Sequence, residues 1–581
     1  MTRTTIARSK VCALALTLGA GLALPASAGM PAAMDRLPND AVLVVGVENI
    51  ADFRSNLEAL AARFNAPLET DDLDELLDAD GLDADGSVAF AVFPGAEGEP
   101  IELEGENARA VVVVEVDSYD QFVEGFGGTP AAGIVSVDAD GETIFLKNIG
   151  DGFAAVAPNA EVLEGFDGKG GNAAGFQSMF GDNGMALAAS SDAFVAANVQ
   201  ALAPMMREGV EQMRDQMEMM AQMAGPQGEQ MTQSMVFIDA LADGFLGDGL
   251  AGLAGLTLSD DGVSIDLAAN FREGSEVAGF FSAPGDTAKL FARLPDMPYY
   301  FAAAADMASP GLRTLVTNMA EMQAELTPEG AQAMDFSKMM TDSTGFAMVM
   351  GTTPAIMGGL FTNTVGYFSS DNPAQTRDAW KAAYADGAEM SMQGMTMSGE
   401  YNENALEIAG ASVDSWSMTM TPDANNPAAM QMRQMMAMMY GPAGGPSGYT
   451  AEAGGGLVSA FSQNQGTMAL AINAANEGNG LSVNDRIMKA LPDGSSSVVL
   501  VGIGSIGETV TGFMAMMGGG PNIEIPGDLP PIAIGTATDH GGTHTRVYIP
   551  MEILDTVAEI AAEMNGGGGG NGGNNGGAPR F

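Results

Sequence analysis

Residues 36–50 read RLPNDAVLVVGVENI, and related segments return at 293–307 (RLPDMPYYFAAAADM) and at 490–506 (ALPDGSSSVVLVGIGSI). Each segment contains Leu-Pro, then Asn or Asp, then a β-rich run, and finally a polar residue that can cap a helix. A repeat of this kind indicates an internally duplicated architecture. The predicted division of the mature chain is a first half at 29–292, a second half at 293–564, and a further repeat start at 490.

A strand followed by a capped helix is predicted in each repeat. The run AVLVVGV at 41–47 is almost wholly apolar, which is typical of a strand buried on both faces. Asn49, Asp306 and Ser505 fall at the same place in the three copies and are the expected helix caps. Strands are likewise predicted at 111–116, 185–189 and 364–368, each followed by a cap and a helix, and the helix after 185–189 is predicted to start near Phe194.

Polar turns between these units predict β-hairpins. A mixture of hairpins and helices indicates an α+β fold with mixed or mainly antiparallel sheets and packed helices, instead of an all-parallel sheet. The predicted hairpins lie at 134–146, 253–267, 395–408 and 532–549.

The N-terminus has the pattern of a secretory signal peptide over residues 1–28. A basic start, an apolar run and Ala26-Ser27-Ala28 before a cleavage point make this pattern, so we expect a periplasmic or extracellular protein. The only cysteine, Cys12, lies inside the apolar run, so the mature chain would hold no disulfide. No later run is long and apolar enough to predict a membrane span. Residues 565–581, rich in Gly and Asn, predict a disordered tail.

Charge excludes one class of partner. The chain has 74 acidic and 23 basic residues and a formal net charge of -51, whereas binding a phosphate backbone requires clustered Lys and Arg. We therefore expect no nucleic-acid partner, and no residue pattern calls for a cofactor.

Methionine is abundant, with 43 residues, and is concentrated in two segments that predict helices. The first, 199–246, predicts a helical hairpin that turns at 225–228, and the second is 427–440. Apolar residues recur at helical spacing along both segments, and from Met206 to Ala224 they form one continuous stripe. The candidate apolar-binding face comprises Met206, Val210, Met213, Met217, Met220, Met231, Met235, Met432, Met435 and Met439.

Three interpretations of this stripe remain open. Methionine is an adaptable filler of cores, and it also lines loosely shaped grooves for an apolar ligand or a partner helix. Thioethers are soft ligands as well, and the spacing of Met217, Met219, Met220 and Met223 is one that a Cu(I)-binding protein could use.

Other motifs give weaker signals. Residues 502–507 match G-x-G-x-x-G after an apolar run, as in dinucleotide-binding folds. The first repeat has Glu48 and Ala51 at the positions of Gly504 and Gly507, so the turn does not need the glycines, and we do not expect a dinucleotide there. His540 and His544 flank a predicted hairpin turn and are expected to have no joint role.

The repeated segments, with GDGFAAVAP at 150–158 and RVYIPMEIL at 546–554, resemble a family of uncharacterised exported bacterial proteins that carry a domain of unknown function. The resemblance implies export and a repeated α+β fold, and it supplies no catalytic residues. The sequence thus predicts an exported, non-enzymatic binding or structural protein of the bacterial envelope. It would hold an apolar ligand or a partner helix on its Met-rich helices. A Met-cluster Cu(I)-binding protein and an uncharacterised enzyme are the alternatives.

Overall fold

A computed structural model describes most of the mature chain. The predicted signal peptide and the residues after 566 lie outside the described part, and so do Met231 and Met235 of the predicted return helix. The described residues are 30–64, 77, 79–95, 108–139, 142–169, 173–223, 242–326, 343–353, 359–384, 390–392, 395–422, 429–441, 444–516 and 525–566.

The described strands form one continuous 20-stranded sheet, and all of their pairings are antiparallel. Across the sheet the order is 4-5-6-3-2-1-7-8-9-20-19-18-10-11-12-17-16-15-14-13. The strands are β1 (Leu43–Val47), β2 (Val88–Val92), β3 (Ala110–Glu115), β4 (Ile134–Ala139), β5 (Glu142–Gly150), β6 (Phe153–Ala157), β7 (Ala193–Asn198), β8 (Gly249–Ser259), β9 (Gly262–Phe271), β10 (Tyr299–Asp306), β11 (Ser343–Gly351), β12 (Thr364–Ser370), β13 (Met390–Met392), β14 (Met395–Ile408), β15 (Ala411–Pro422), β16 (Ser447–Ala453), β17 (Gly456–Phe461), β18 (Ser495–Val501), β19 (Ile532–Asp539) and β20 (Gly542–Pro550).

Helices separate these strands along the chain, so the fold mixes α and β structure around an antiparallel sheet. A short 3₁₀ helix, Ala32–Arg36, precedes β1. The α-helices are α1 (Ile50–Arg63), α2 (Tyr119–Gly125), α3 (Ala160–Glu164), α4 (Ala173–Ser190), α5 (Val199–Met223), α6 (Glu276–Phe280), α7 (Thr287–Phe291), α8 (Pro310–Leu326), α9 (Pro373–Tyr384), α10 (Ala429–Tyr440), α11 (Gln465–Glu477), α12 (Asp485–Ala490), α13 (Ile503–Met516) and α14 (Met551–Gly566).

Helices cover both faces of the sheet. We call the side to which Val45 of β1 points the front face and the side to which Val44 points the back face. On the front, α1 and α2 bury Phe53 and Phe122 against strands β1 to β3, and α9 buries Trp380 against the far end of the sheet. On the back, α4 covers the first half, and α7, α11 and α12 cover the second. Three layers result, with the sheet in the middle.

Capping explains where some helices begin. The side chain of Asn49 accepts a hydrogen bond from the amide of Asp52 at 2.8 Å, as the sequence predicts. The two other predicted caps are wrong. Ser505 lies inside α13, which already begins at Ile503. Asp306 ends β10, and α8 begins only at Pro310, whose fixed backbone angle suits the first turn of a helix.

Two element predictions are also wrong. Residues 185–189, predicted as a strand, belong to α4, and the strand β7 lies where a helix start was predicted near Phe194. A short apolar run fits either structure, so periodicity does not separate the two. Residues 395–408 form the single strand β14 instead of a hairpin. The chain turns at Ala409 and Gly410, both at positive φ. The other three predicted hairpins are present.

The C-terminal strands of the two predicted halves, β9 and β20, pair with each other at the centre of the sheet. The pairing runs from Gly262 opposite Pro550 to Asn270 opposite Gly542. At its midpoint the buried Asp266 accepts a 2.7 Å hydrogen bond from Nε of Arg546. His544 Nε2 lies 2.5 Å from the same carboxylate oxygen. We call this pairing the central junction.

Within the described residues, no helix combines the length and the apolar character that crossing a bilayer requires.

Candidate functional site

The middle of the front face is apolar and incompletely covered. It spans the neighbouring strands β8, β9, β20, β19, β18, β10 and β11. Ile265 and Leu267 on β9 are 43% and 52% exposed, and the other front-facing side chains in this middle part are half-buried or exposed, whereas Leu258 and Val263 nearer the β8–β9 turn are buried. We call this surface the open face. Its side chains are Ala254, Leu256, Ile265, Leu267, Val547, Ile532, Ile534, Val499, Val501, Phe301, Ala303, Met348 and Met350.

On the back of the same strands the side chains are buried. Ala302, Val349 and Leu500 alternate with residues of the open face, and each is fully buried under helices of the second half. Alternate residues of a strand point to opposite sides, so one side of each strand is packed while the other is only partly covered.

The register makes the open face continuous. Phe301 lies opposite Val501, and Val501 lies opposite Ile532. Ile534 pairs with Val547, which in turn lies opposite Ile265. Residues directly opposite each other in an antiparallel pair share a face and are in contact distance. With neighbouring strands about 4.8 Å apart, the open face is about 29 Å wide.

Polar side chains are few on this side of the seven strands, and two of them pair with each other. The hydroxyls of Thr536 and Thr545 lie 2.9 Å apart and hydrogen-bond to each other. None of the front-facing positions described on these strands carries a charge. In a chain with a net charge of -51, an uncharged surface of this width is a distinct feature.

Helices frame the open face at both ends of its strands. β10 and β18 are antiparallel neighbours, so α8, which follows β10, and α13, which follows β18, leave opposite ends. Helix α13 carries an exposed apolar stripe of Ile506, Val510 and Phe513, which are 36%, 46% and 37% exposed. At the lower end, Leu554 of α14 packs beside Leu60 of α1 over the turn-proximal part of β8 and β9.

Helix α8 begins at Pro310, after β10 ends at Asp306. It packs on α6, where Gly311 of α8 approaches Gly279 so closely that a Cβ on Gly311 would overlap the Gly279 carbonyl oxygen. This contact fixes the start of α8 against α6.

The predicted Met-rich face is only partly formed. On α5, Met206, Met213 and Met220 are 37%, 42% and 48% exposed, and Val210 and Met217 are half-buried. The interpretation of this stripe as packed core is therefore wrong for the exposed methionines, which have no covering layer among the described residues.

The second Met-rich helix lies elsewhere. Helix α10 packs beside β15, far across the sheet from α5, which packs beside β7 and β8. Met435 is 51% exposed, and Met432 and Met439 are half-buried. Met436, which the predicted face omits, is the buried residue of this helix. The structure thus does not bring the two predicted segments together.

Within the described residues, neighbouring methionines of the two Met-rich helices differ in exposure. Met435 is 51% exposed, whereas its neighbour Met436 is 6% exposed, so the two thioethers lie in different surroundings on α10. On α5, Met219 is 63% exposed and lies on the far side from the half-buried Met217. Among the described residues no group of three His, Cys, Asp or Glu side chains surrounds a common point.

The glycine motif at 502–507 is filled by the chain itself. A Cβ on Gly504 would lie 2.5 Å from the carbonyl oxygen of Pro526, and one on Gly507 would lie 2.6 Å from Ile525. The glycines let the segment 525–527 pack against the start of α13, so the crevice that a pyrophosphate needs is occupied. This packing argues against a dinucleotide at the turn, where the sequence predicts none.

The two histidines have different surroundings, in agreement with the sequence-based expectation. The side chain of His540 is 67% exposed in the β19–β20 turn, with Asp539 at 3.4 Å. That of His544 is 11% exposed and contacts Asp266 at the central junction.

Carboxylates surround the ends of the open face. Asp260 and Asp261 form the turn between β8 and β9, Asp539 lies in the turn between β19 and β20, and Asp306 ends β10. At the lower end, burial raises the pKa of Tyr299 to about 12, and the negative charge of Asp296 adds to this shift.

No family model, curated protein or solved structure matches the chain, so the resemblance to exported bacterial proteins stays a prediction.

Proposed function

We propose that the chain is an exported, non-enzymatic protein that binds an apolar molecule on the open face. The observation that carries this proposal is the contrast within single strands, whose back side chains are buried while their front aliphatic side chains are not. Soluble proteins seldom leave wide apolar patches uncovered unless the patch binds something. Export is proposed from the signal-peptide pattern of residues 1–28.

The Met-rich hairpin at 199–246 is proposed as an adaptable wall of this site. Its first helix, α5, leaves β7 next to the open face, and its exposed methionines suit a ligand of variable shape. The apolar stripe of α13 would serve the same purpose at the other end.

We also propose that the two halves arose by duplication. The first half has the strand order 5-6-3-2-1-7-8-9, and the second has 16-17-12-11-10-18-19-20, so each strand has a counterpart at the same place. The halves meet through their last strands, and the β9–β20 register is the same read from either strand. The open face would then lie beside the axis that relates the halves.

A paired substitution tests the binding proposal. We expect the double variant Ile265→Gln, Leu267→Gln to bind an apolar fluorescent probe such as Nile red at least about tenfold more weakly, since each lost aliphatic contact contributes about 1.5 kcal/mol when fully buried. Titration of probe fluorescence measures the change.

Leu470→Gln is the matched control, because Leu470 is 58% exposed on α11 over the back of the sheet. Its probe affinity should equal that of the wild type. Equal loss in both variants, or no probe binding to the wild type, would refute binding at the open face. Native mass spectrometry of protein purified from its own host would then identify the natural ligand.

A further inference from the structure

We propose that α5 and α10 are sites of reversible oxidation, where exposed methionines take up oxygen from a neutral two-electron oxidant such as hydrogen peroxide or hypochlorous acid. The methionines of the core stay reduced. In this step the O–O or O–Cl bond of the oxidant breaks and an S–O bond forms. The sulfur gives up two electrons and becomes a sulfoxide, and the oxidant is reduced to water, or to chloride and a proton. The proposal is independent of apolar binding at the open face.

Exposed methionine is concentrated on these two helices. Methionine accounts for eight of the fifteen large apolar side chains that are exposed among the described residues, and all eight lie on α5 or α10. Elsewhere in the described part Met34, Met307 and Met468 are buried. Methionine is among the side chains that proteins most often bury, so two helices that display it to solvent are a distinct surface.

Helix α5 is held in place by residues other than its exposed methionines. Val199 and Ala203 are buried against Leu246. The side chain of Asn198 accepts a hydrogen bond from the Ala201 amide at 3.1 Å and so fixes the first turn. The exposed methionines of this helix are Met205, Met206, Met213, Met219 and Met220. An oxygen atom added to these sulfurs enters water and leaves the anchoring contacts intact.

Helix α10 is anchored in part through its main chain. The carbonyl of Met438 accepts a 3.0 Å hydrogen bond from the amide of Leu360, and that of Met439 accepts a 2.9 Å hydrogen bond from Phe361. Neither contact uses a methionine side chain. The exposed methionines of this helix are Met430, Met435 and Met438. Oxidation of their sulfurs therefore does not remove the hydrogen bonds that hold the end of α10.

Met435 and Met436 provide a comparison within one helix. Met435 is 51% exposed and Met436 is 6% exposed. Oxidation turns an apolar thioether into a polar sulfoxide, which water solvates at Met435 but which would disrupt packing at Met436. Exposure thus decides which sulfur reacts first and which product the fold tolerates.

Other soft oxidation targets are absent from the described surface of the mature chain. The only cysteine, Cys12, lies in the predicted signal peptide. The two tryptophans, Trp380 and Trp416, are both 2% exposed. Access is what makes a sulfur susceptible, so the exposed methionines of α5 and α10 are the sulfur atoms that meet an oxidant first.

The test treats the full mature chain with less oxidant than it has exposed methionines, and peptide mass spectrometry then measures the sulfoxide at each position over time. We expect the sulfoxide of Met435 to form at least about tenfold faster than that of Met436. The far-UV circular dichroism and the urea midpoint should not change. The two methionine sulfoxide reductases, one for each sulfoxide epimer, should restore the original mass.

Matched variants separate exposure from methionine content. The triple variant Met430→Leu, Met435→Leu, Met438→Leu removes the three exposed sulfurs of α10 and should lower the rapid uptake of oxygen, which intact mass measures. With fewer surface sulfurs competing for the oxidant, Met436 should be oxidised at a lower dose than in the wild type. The control is Met436→Leu with Met468→Leu. These replacements conserve volume at buried positions and should leave the rapid uptake unchanged.

Three results would each overturn the proposal. Equal rates at Met435 and Met436 would show that exposure does not select the sulfur. Loss of the fold while only the exposed methionines carry oxygen would show that the surface does not tolerate oxidation. Sulfoxides that the reductases cannot reduce would remove reversibility. Binding of Nile red to the unoxidised protein is measured separately, so none of these results affects the proposed apolar site.

Discussion

Two groups of three strands occupy corresponding places in the two halves, and only one of them is covered. Strands β2, β1 and β7 carry Val45 and Phe90 on the front face, at 3% and 4% exposure, beneath α1 and α2. Strands β11, β10 and β18 carry Phe301, Met348 and Val499 on the same face, and all three are half-buried. Both groups have apolar side chains on both sides, so composition alone does not decide which is covered.

The difference lies in where the following helix goes. Helix α1 begins at Ile50, directly after its cap Asn49 and three residues after β1 ends, and it places Ile50 and Phe53 over the strands. Helix α8 begins only after Ser309 and packs on α6 instead. The helices that follow the corresponding strands β1 and β10 thus pack in different places, one on the sheet and one on a neighbouring helix.

Phenylalanine truncation in the two groups gives the largest expected effect. Phe90→Ala should lower the free energy of unfolding by about 3–5 kcal/mol, because it leaves a cavity in a packed core. Phe301→Ala should cost less than about half of that, since its side chain is only half-buried. Urea unfolding of both variants measures the difference. Equal losses would mean that the open face is packed like the rest.

At the far end of the front face, Arg377 forms an ion pair with Asp414. Loss of this pair should lower the free energy of unfolding by up to about 3 kcal/mol, because Asp414 is buried while Arg377 is a quarter exposed. Arg377 donates to both carboxylate oxygens of Asp414 at 2.6 Å and so ties α9 to β15. Burial alone would raise the pKa of Asp414, but the hydrogen bonds from Arg377, Tyr401 and the Asn404 amide outweigh it and lower the pKa below 3.8.

A depressed carboxyl pKa gives a defined pH dependence. The unfolded state binds the proton more readily, so the stabilisation by Asp414 is full above about pH 5 and is lost as the pH falls through the lowered folded-state pKa. The stability difference between wild type and Asp414→Asn should therefore shrink steadily below about pH 4. Urea unfolding over a pH series checks this. A difference that is constant down to the acid limit would contradict the assignment.

Two glycine-to-alanine substitutions should change the free energy of unfolding by smaller amounts and in opposite directions. Gly311 tests the position of α8, and Gly209 on α5 is the comparison. Gly311→Ala should destabilise the protein by about 1–3 kcal/mol, because the new Cβ would overlap the Gly279 carbonyl. Gly209→Ala on α5 should stabilise it by about 0.5–1 kcal/mol, since nothing lies within 4 Å of the added methyl group. Thermal and urea unfolding give both signs. A neutral Gly311→Ala would show that the α6 contact does not position α8.

Local features of this fold follow from the sequence, and the open face does not. The cap at Asn49 and the hairpins at 134–146, 253–267 and 532–549 depend on residues close in the chain, so their patterns predict them. The Asn404 amide, by contrast, donates to Asp414 ten residues away, and β14 passes through this region as one strand. That contact was not visible in the local turn pattern.

The open face depends on where helices distant in the sequence are placed. Strands β18 and β19 are apolar on both sides, which predicts burial on both sides, and only the position of α8 and α13 reveals that one side is open. One signal was present in β9, where Ser264 and Asp266 are buried while Ile265 and Leu267 are exposed. A strand whose polar residues lie inside indicates that its apolar residues face something outside.

The central junction has a consequence for assembly. In the proposed duplication Asp266 and Arg546 occupy equivalent positions, because both lie at the midpoint of the β9–β20 pairing. If either half paired with a copy of itself, the midpoint would bring Asp against Asp or Arg against Arg in a buried place, which is strongly unfavourable. Opposite charges therefore make the two halves complementary to each other and incompatible with their own copies. In the proposed duplication, the central junction would therefore disfavour the exchange of halves between neighbouring molecules. It would also keep a protein with so long a sheet from assembling into chains through its centre.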